Sequence, residues 1–388
     1  MARALTLPGT ALPMTGLQAD RWLVLPAIGL LLIGFVAITS ASVDFASERY
    51  GDPLYHSSRH LVYIGLGLAA ASMVFCLPVR FWYQSGWLWL FAGLALLALV
   101  LIPGVGVKIN GSRRWLDLGA STLQASEVAK FCLVVYLAGY LQRREDQVRN
   151  EWQGFIKPIV VVFAFTLLLM AEPDFGATVV TVGTALGMLF LAGVRLGQFL
   201  LVMGGSALAL VVLLVSEPYR VDRLTAHTDP WSDPYGSGYQ IIQSLIAIGR
   251  GEWLGVGLGN SIQKLFYLPE AHTDFVFSIW AEETGLLGAL LLIGLMACLV
   301  FRILRVADRQ MRTGDTFGAH LCNGVALIFA GQAFINIGVS TGLLPTKGLT
   351  LPLVSYGGNS LIICLSLLAL VLRVELEGRH APGGKRNG

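Results

Sequence analysis

A chain of 388 residues that is 55% hydrophobic and 13% charged, with a mean hydropathy of +0.68, carries about half the charge of an ordinary soluble domain. That excludes a soluble globular enzyme and a disordered chain, and the unbroken apolar runs exclude an outer-membrane barrel, whose strands alternate. A net charge of +3 with no long run of Lys or Arg leaves no electrostatic footprint for nucleic acid.

Ten apolar blocks follow in chain order, each long enough to cross a hydrocarbon core of about 30 Å as a helix. The first five cover 22–41, 61–77, 81–102, 123–141 and 155–171. The second five cover 175–194, 196–216, 275–301, 320–341 and 353–372. The expected fold is therefore all-α: a polytopic membrane protein of about ten transmembrane helices, with one large loop between helices seven and eight. Residues 1–21 form an N-terminal arm, 22–374 the membrane domain with its loop at 217–273, and 375–388 a tail. The first block is too long, and followed by too many others, to be a cleaved signal peptide.

Ten crossings put both termini on one side. That side holds 16 of the 27 Lys and Arg residues, among them Arg302, Arg305, Arg309 and Arg312, against 10 on the other. The positive-inside rule makes it cytoplasmic and places the 217–273 loop outside. The five cysteines stand singly inside apolar stretches, without metal-ligand or disulfide spacing. No His/Asp/Glu cluster demands a metal, although a divalent cation would be compatible with the chemistry below.

A charge in a spanning helix costs about 2.5–3.5 kcal/mol, so such residues pair or line a cavity. Glu127 and Lys130, three apart in the fourth block, share a helix face. They read either as an internal ion pair that fixes packing or as a lysine presented to an anion; spacing alone separates neither. Glu282, eight residues after Asp274, falls on the same helical face as that residue. The loop ends in Leu268-Pro-Glu-Ala-His-Thr-Asp-Phe275, which puts Asp274 in the first turn of a long apolar helix with His272 or Thr273 as its cap. An Asp there is an ordinary dipole partner, or, at a membrane interface, a general base. Arg113, Arg114, Arg220, Arg223 and Lys347 gather on the same outer side among glycines, an environment suited to phosphate.

Six segments in order carry a family pattern: Asn110-Gly-Ser-Arg-Arg-Trp, Gln124-Ala-Ser-Glu-Val-Ala-Lys130, Glu172-Pro-Asp-Phe-Gly176, Gly249-Arg-Gly, Leu268 to Phe275, and Ser355-Tyr-Gly-Gly-Asn-Ser360. Together they resemble the SEDS (shape, elongation, division, sporulation) family of bacterial cell-wall polymerases, and the run from Gly257 to His272 is most similar to its cell-division branch. The resemblance implies a peptidoglycan glycosyltransferase of the inner membrane that joins lipid II by β-1,4 bonds outside the cytoplasm and releases undecaprenyl pyrophosphate. It implies that Asp274 is the essential acid, that Glu127 and Lys130 are a buried pair, and that Arg113 and Arg114 are basic loop residues. On that reading Lys130, Arg220, Arg223 and Lys347 join them in holding pyrophosphate, with His272, Thr273 and Glu282 in support. The implied partners are a class B penicillin-binding transpeptidase of the FtsI type and other divisome membrane proteins. The rival expectations are a lipid II flippase and a scaffold that only recruits the transpeptidase.

Overall fold

The computed structural model describes residues 20–109, 112–117, 119, 122–215, 228–236, 238–346 and 348–380. The helices are α1 Arg21–Tyr50, α2 Tyr55–Cys76, α3 Val79–Gln84, α4 Gly86–Leu101, α5 Ala125–Arg143, α6 Glu145–Asn150 and α7 Trp152–Ala171. They continue with α8 Phe175–Leu191, α9 Leu196–Val215, α10 Tyr239–Gly251, α11 Val276–Thr313, α12 Thr316–Ser340 and α13 Gly358–His380. Nine of the ten apolar blocks coincide with one helix each, and the third, 81–102, with two. Five helices (α1, α2, α7, α11 and α12) are long and apolar enough to cross a membrane by length and composition.

The inside-out burial follows from lipid as solvent. Trp22, Leu32, Leu61, Met73, Phe163, Leu208 and Leu290 point outward, as apolar side chains do when the surroundings are hydrocarbon. At the centre stands α5, buried along nearly its whole length and packed by α4, α7, α8, α12 and α13. Small residues permit the close approaches: Gly34 meets the backbone of Val354, and Gly324 lies against Val134 and Met188.

Three departures from the sequence reading have physical causes. The 81–102 block is two helices, α3 and α4, separated at Ser85. The all-α expectation misses a small antiparallel sheet in the order β1-β2-β3: β1 Gly106–Ile109, β2 Ser112–Asp117 and β3 Thr122–Gln124. Several helices also outrun their apolar blocks. Thus α13 continues past residue 374 to His380, so the expected tail begins as helix, carried by i,i+4 pairs Arg373–Glu377 and Glu375–Arg379, each at 2.6 Å.

Two contacts tie α1 to α11 about one hydrocarbon thickness apart. Arg302 of α11 pairs with Asp20 at the start of α1. Twenty residues up α1, Ser40 donates to Glu283 of α11 at 2.5 Å. The intervening helix is about 30 Å by α1 and about 28 Å by α11, which is the thickness of a hydrocarbon core. The last turns of α1 and the first two of α11 therefore stand beyond the plane of Ser40 and Glu283.

At that plane α11 is broken. Gly285 has φ +69 and ψ −167, and the freed groups are taken by the chain that follows α10. Val256 N–H donates to the Glu282 carbonyl at 3.0 Å, Gly257 N–H to that of Glu283 at 3.0 Å, and Leu286 N–H to that of Glu252 at 2.9 Å. A methyl at position 285 would lie 2.4 Å from the Gly255 nitrogen. Gly285→Ala is therefore expected to lower unfolding stability in detergent by about 1–3 kcal/mol, the cost of a backbone region reserved for glycine. Thermal unfolding of the purified variant reads this directly.

Candidate active site

Four segments converge beyond the Ser40–Glu283 plane. β2 and β3 lead into α5, the α7–α8 turn carries Glu172 and Asp174, the 268–275 loop carries Asp274, and residues 344–357 join α12 to α13. Asn359 Nδ2 donates to the Thr122 carbonyl at 2.7 Å and ties β3 to the start of α13.

The α7–α8 turn is organised by Asp174. Its Oδ1 accepts from the Ala177 N–H at 3.0 Å, so it caps α8, and its Oδ2 accepts from the Ser126 hydroxyl at 3.1 Å. Arg114 Nη1 lies 3.6 Å from the same carboxylate, while its Nε donates to Ser112 Oγ at 2.7 Å. Strand alternation sends Arg113 to the other face of β2, so the two arginines do not act as one clamp. Both oxygens of Glu172 are buried without a partner, and burial, reinforced by Asp174, pushes its carboxyl up to about 8.

Asp274 is half-buried and lies nine residues before Glu283, of which the helical stretch from Val276 to Glu283 rises about 10 Å. Its N–H donates to the Glu270 carbonyl at 3.1 Å. Asn336 of α12 holds two strands of the site together, donating to the Asp274 carbonyl at 2.8 Å and the Leu349 carbonyl at 2.6 Å. Burial first, then the negative charges of Glu270 and Asp174, push the Asp274 carboxyl up to about 7 against the opposing pull of Arg114. A group with that pKa holds and gives up a proton at physiological pH.

Gly348 lies directly against this carboxylate. A Cβ there would meet Asp274 Oδ2 at 2.9 Å. Gly348→Ala is expected to push the carboxylate aside and lower turnover by about 10²-fold, the scale of a misplacement near 1 Å. An unchanged thermal midpoint would separate that loss from misfolding.

The supporting residues are redistributed. No side chain caps α11; Thr273 Oγ1 instead donates to the Glu270 carboxylate at 2.6 Å, and His272 turns into an aromatic cluster. Its ring lies 4.8 Å from that of His56 and 5.7 Å from that of Tyr356, and its carbonyl accepts from the Tyr356 N–H at 3.0 Å. Burial holds the His272 imidazole at about 4, so it is neutral. Glu282 does not join Asp274: its carboxylate takes Arg250 at 2.8 Å and Ser261 Oγ at 2.5 Å, because the break at Gly285 brings the post-α10 chain across it. Lys130 sits on Glu127 at 2.8 Å and is 2% exposed, so it presents no charge to an outside phosphate. Arg220, Arg223 and Lys347 lie outside the described residues.

Residues 21–380 match the family model for the FtsW, RodA and SpoVE cell cycle proteins. The chain belongs to this family. It is 52% identical to the "Probable peptidoglycan glycosyltransferase FtsW" of Hahella chejuensis, covering 96% of this chain and 94% of that one. The protein of the same name from Halomonas elongata is also 52% identical, covering 95% and 94%. Among solved structures, a chain from "Structural coordination of polymerization and crosslinking by a peptidoglycan synthase complex" superposes with a TM-score of 0.76 at 33% identity, covering 93% and 99%. RodA of Thermus thermophilus, a rod shape determining protein, gives 0.69 at 29% identity, covering 93% and 98%. With its apolar helices, the FtsW/RodA/SpoVE membership makes this a multi-pass membrane protein.

Sequence reasoning passed over Asp174, Glu172 and Asn336 as members of the site. Glu172 and Asp174 were visible inside a recurring motif. Asn336 had no signal that set it apart from Asn323 and Gln332, the other amides of the same helix.

Proposed function

We propose that the chain is a peptidoglycan glycosyltransferase that polymerises lipid II for septal wall synthesis during division, with its site on the extracytoplasmic face of the inner membrane and both termini in the cytoplasm. The observation that carries the reading is the Asp274 carboxyl, pushed up to about 7 and lying about 10 Å along the helix beyond the Ser40–Glu283 contact. That height suits a substrate whose polyprenyl chain lies in the bilayer, whose pyrophosphate lies at its edge and whose sugars rise above it. The names of the 52% identical relatives support the same activity.

In this mechanism the Asp274 carboxylate takes the proton from the acceptor sugar's 4-hydroxyl. The oxygen forms its bond to the donor's anomeric carbon as the carbon–oxygen bond to pyrophosphate breaks, and the electron pair leaves on the phosphate. Arg114, which lies 3.6 Å from Asp174, stabilises that developing charge, and Arg113, Arg220, Arg223 and Lys347 are the further cations the sequence offers for the pyrophosphates. Protonated Asp274 then returns its proton to water. Glu127 and Lys130 support this from below: they fix the first turns of α5, and with them Ser126, Asp174 and Arg114.

A class B transpeptidase is the proposed partner, because the chain polymerises without cross-linking and its solved relative comes from a synthase complex that does both. The test uses purified full-length protein in vesicles with fluorescent lipid II, with and without that transpeptidase. Glycan ladders from the wild type support the reading. Transbilayer movement of lipid II without any glycan would establish the flippase, and division supported by Asp274→Ala at wild-type levels would establish a scaffold.

A further inference from the structure

The chain between α10 and the Asp274 loop is an irregular segment placed at the edge of the bilayer. Four main-chain hydrogen bonds fix its depth: Val256 and Gly257 donate to Glu282 and Glu283, and Leu286 and Leu287 donate to Glu252 and Trp253. Residues 282–287 lie at the Ser40–Glu283 end of the span that begins at Arg302, so residues 252–257 lie there too. The end of α10 is pressed to the same level, since a Cβ on Gly251 would fall 2.1 Å from the Ala281 carbonyl oxygen.

We infer that residues 252–258 form a strap seated in the leaflet on the Asp274 side, with Trp253 and Leu254 inserted among lipid. Both side chains are turned outward, 70% and 76% exposed, and Leu258 joins them. They continue the outward row of Leu287, Leu290 and Leu291 on α11, which meets hydrocarbon below the plane. Apolar side chains at that depth face lipid, and an interfacial Trp sits where its ring spans apolar and polar layers.

The polar accounting fits the same place. Irregular backbone survives near hydrocarbon only when its hydrogen bonds are met by protein, as the break at Gly285 meets them here. Two cations at this depth are paired, Arg250 2.8 Å from Glu282 and Lys264 3.5 Å from Glu283, and the exposed Glu252 carboxylate, at the first residue of the strap, is the charge that reaches back to water. The chain that follows the strap runs back to the site through a series of bonds. The Glu282 carboxylate accepts from Ser261 Oγ and from the N–H of Ile262, the Gln263 carbonyl accepts from Leu268 N–H, and the Glu270 carbonyl accepts from Asp274 N–H.

The experiment measures depth. The full chain, its five cysteines replaced by serine or alanine, carries one nitroxide at Leu254→Cys in phosphatidylethanolamine–phosphatidylglycerol vesicles. Tyr235→Cys serves as the aqueous reference and Leu290→Cys as the hydrocarbon reference. The expected result is that dissolved oxygen relaxes the label at 254 more than a water-soluble nickel chelate does, as at 290, with the order reversed at 235. A nickel-dominated response at 254 would overturn the inference. So would shielding from both reagents, which would mean that a second copy or another protein covers the strap. Trp253→Cys gives the same readings independently should the variant at 254 fail to fold.

Discussion

Asp274→Asn is expected to lower lipid II polymerisation by about 10²–10⁴-fold, the range contributed by a positioned general base. The amide keeps the shape of the side chain and leaves untouched the Asn336 bond, which goes to the Asp274 main-chain carbonyl. Loss of activity should therefore come with a folded protein. Stability adds a second signature. The carboxyl sits at about 7 in the folded chain against 3.8 as an ordinary aspartate, so between those values the folded state holds the extra proton. The contribution of Asp274 to stability is thus greatest at low pH and is lost as the pH rises through about 7. Asp274→Asn escapes that loss: its thermal midpoint should exceed the wild type's at pH 8, and the two should converge toward pH 4. A residue that gains in stability what it loses in turnover is one placed for chemistry.

Lys130→Met is expected to cost about 3–5 kcal/mol, because it leaves the Glu127 carboxylate charged and unpaired inside the bundle. The pair is buried at 2.8 Å in the most enclosed helix of the protein, where no solvent can take over the lost partner. Glu127→Gln with Lys130→Met should recover most of that loss, since neutral groups of similar volume pack without a desolvation penalty. Thermal unfolding of both single variants and the double variant checks the cycle. Its polymerisation rate then separates two roles. Recovery of stability and rate together would assign the pair to packing of α5. Recovery of stability without rate would assign its charge to the site.

The helices were legible because each apolar block records the thickness of the membrane, and the structure has a helix at all ten. Their ends were not. α1 runs nine residues past Ala41, α11 twelve past Phe301 and α13 eight past Leu372. Hydropathy stops at the bilayer edge, whereas helical hydrogen bonding continues for as long as polar side chains can pair above it. The sheet at 106–124 was hidden in a short polar segment whose pairing depends on a turn rather than on periodicity.

The site divides in the same way. Asp274 stood out as a carboxylate opening a long apolar helix beside His272, in a segment that resembles the SEDS pattern. Glu127 and Lys130 were legible from helical spacing. What brings Asn336, Gly348, Asp174 and Arg114 to Asp274 is the packing of α8, α12 and the α12–α13 connection, which no local pattern records. Glu282 shows the reverse error: its helical step pointed at Asp274, but its carboxylate is taken by Arg250 and by the chain at 261–263.

The most direct test of Asp274 as the base is the pH dependence of kcat/KM for lipid II polymerisation by the purified protein in vesicles. The account predicts a rate that climbs through about pH 7 to a plateau, and an Asp274→Asn variant whose residual rate has lost that limb. A wild-type profile that is flat from pH 5 to 9, or an Asp274→Asn profile that keeps the same limb, would contradict it.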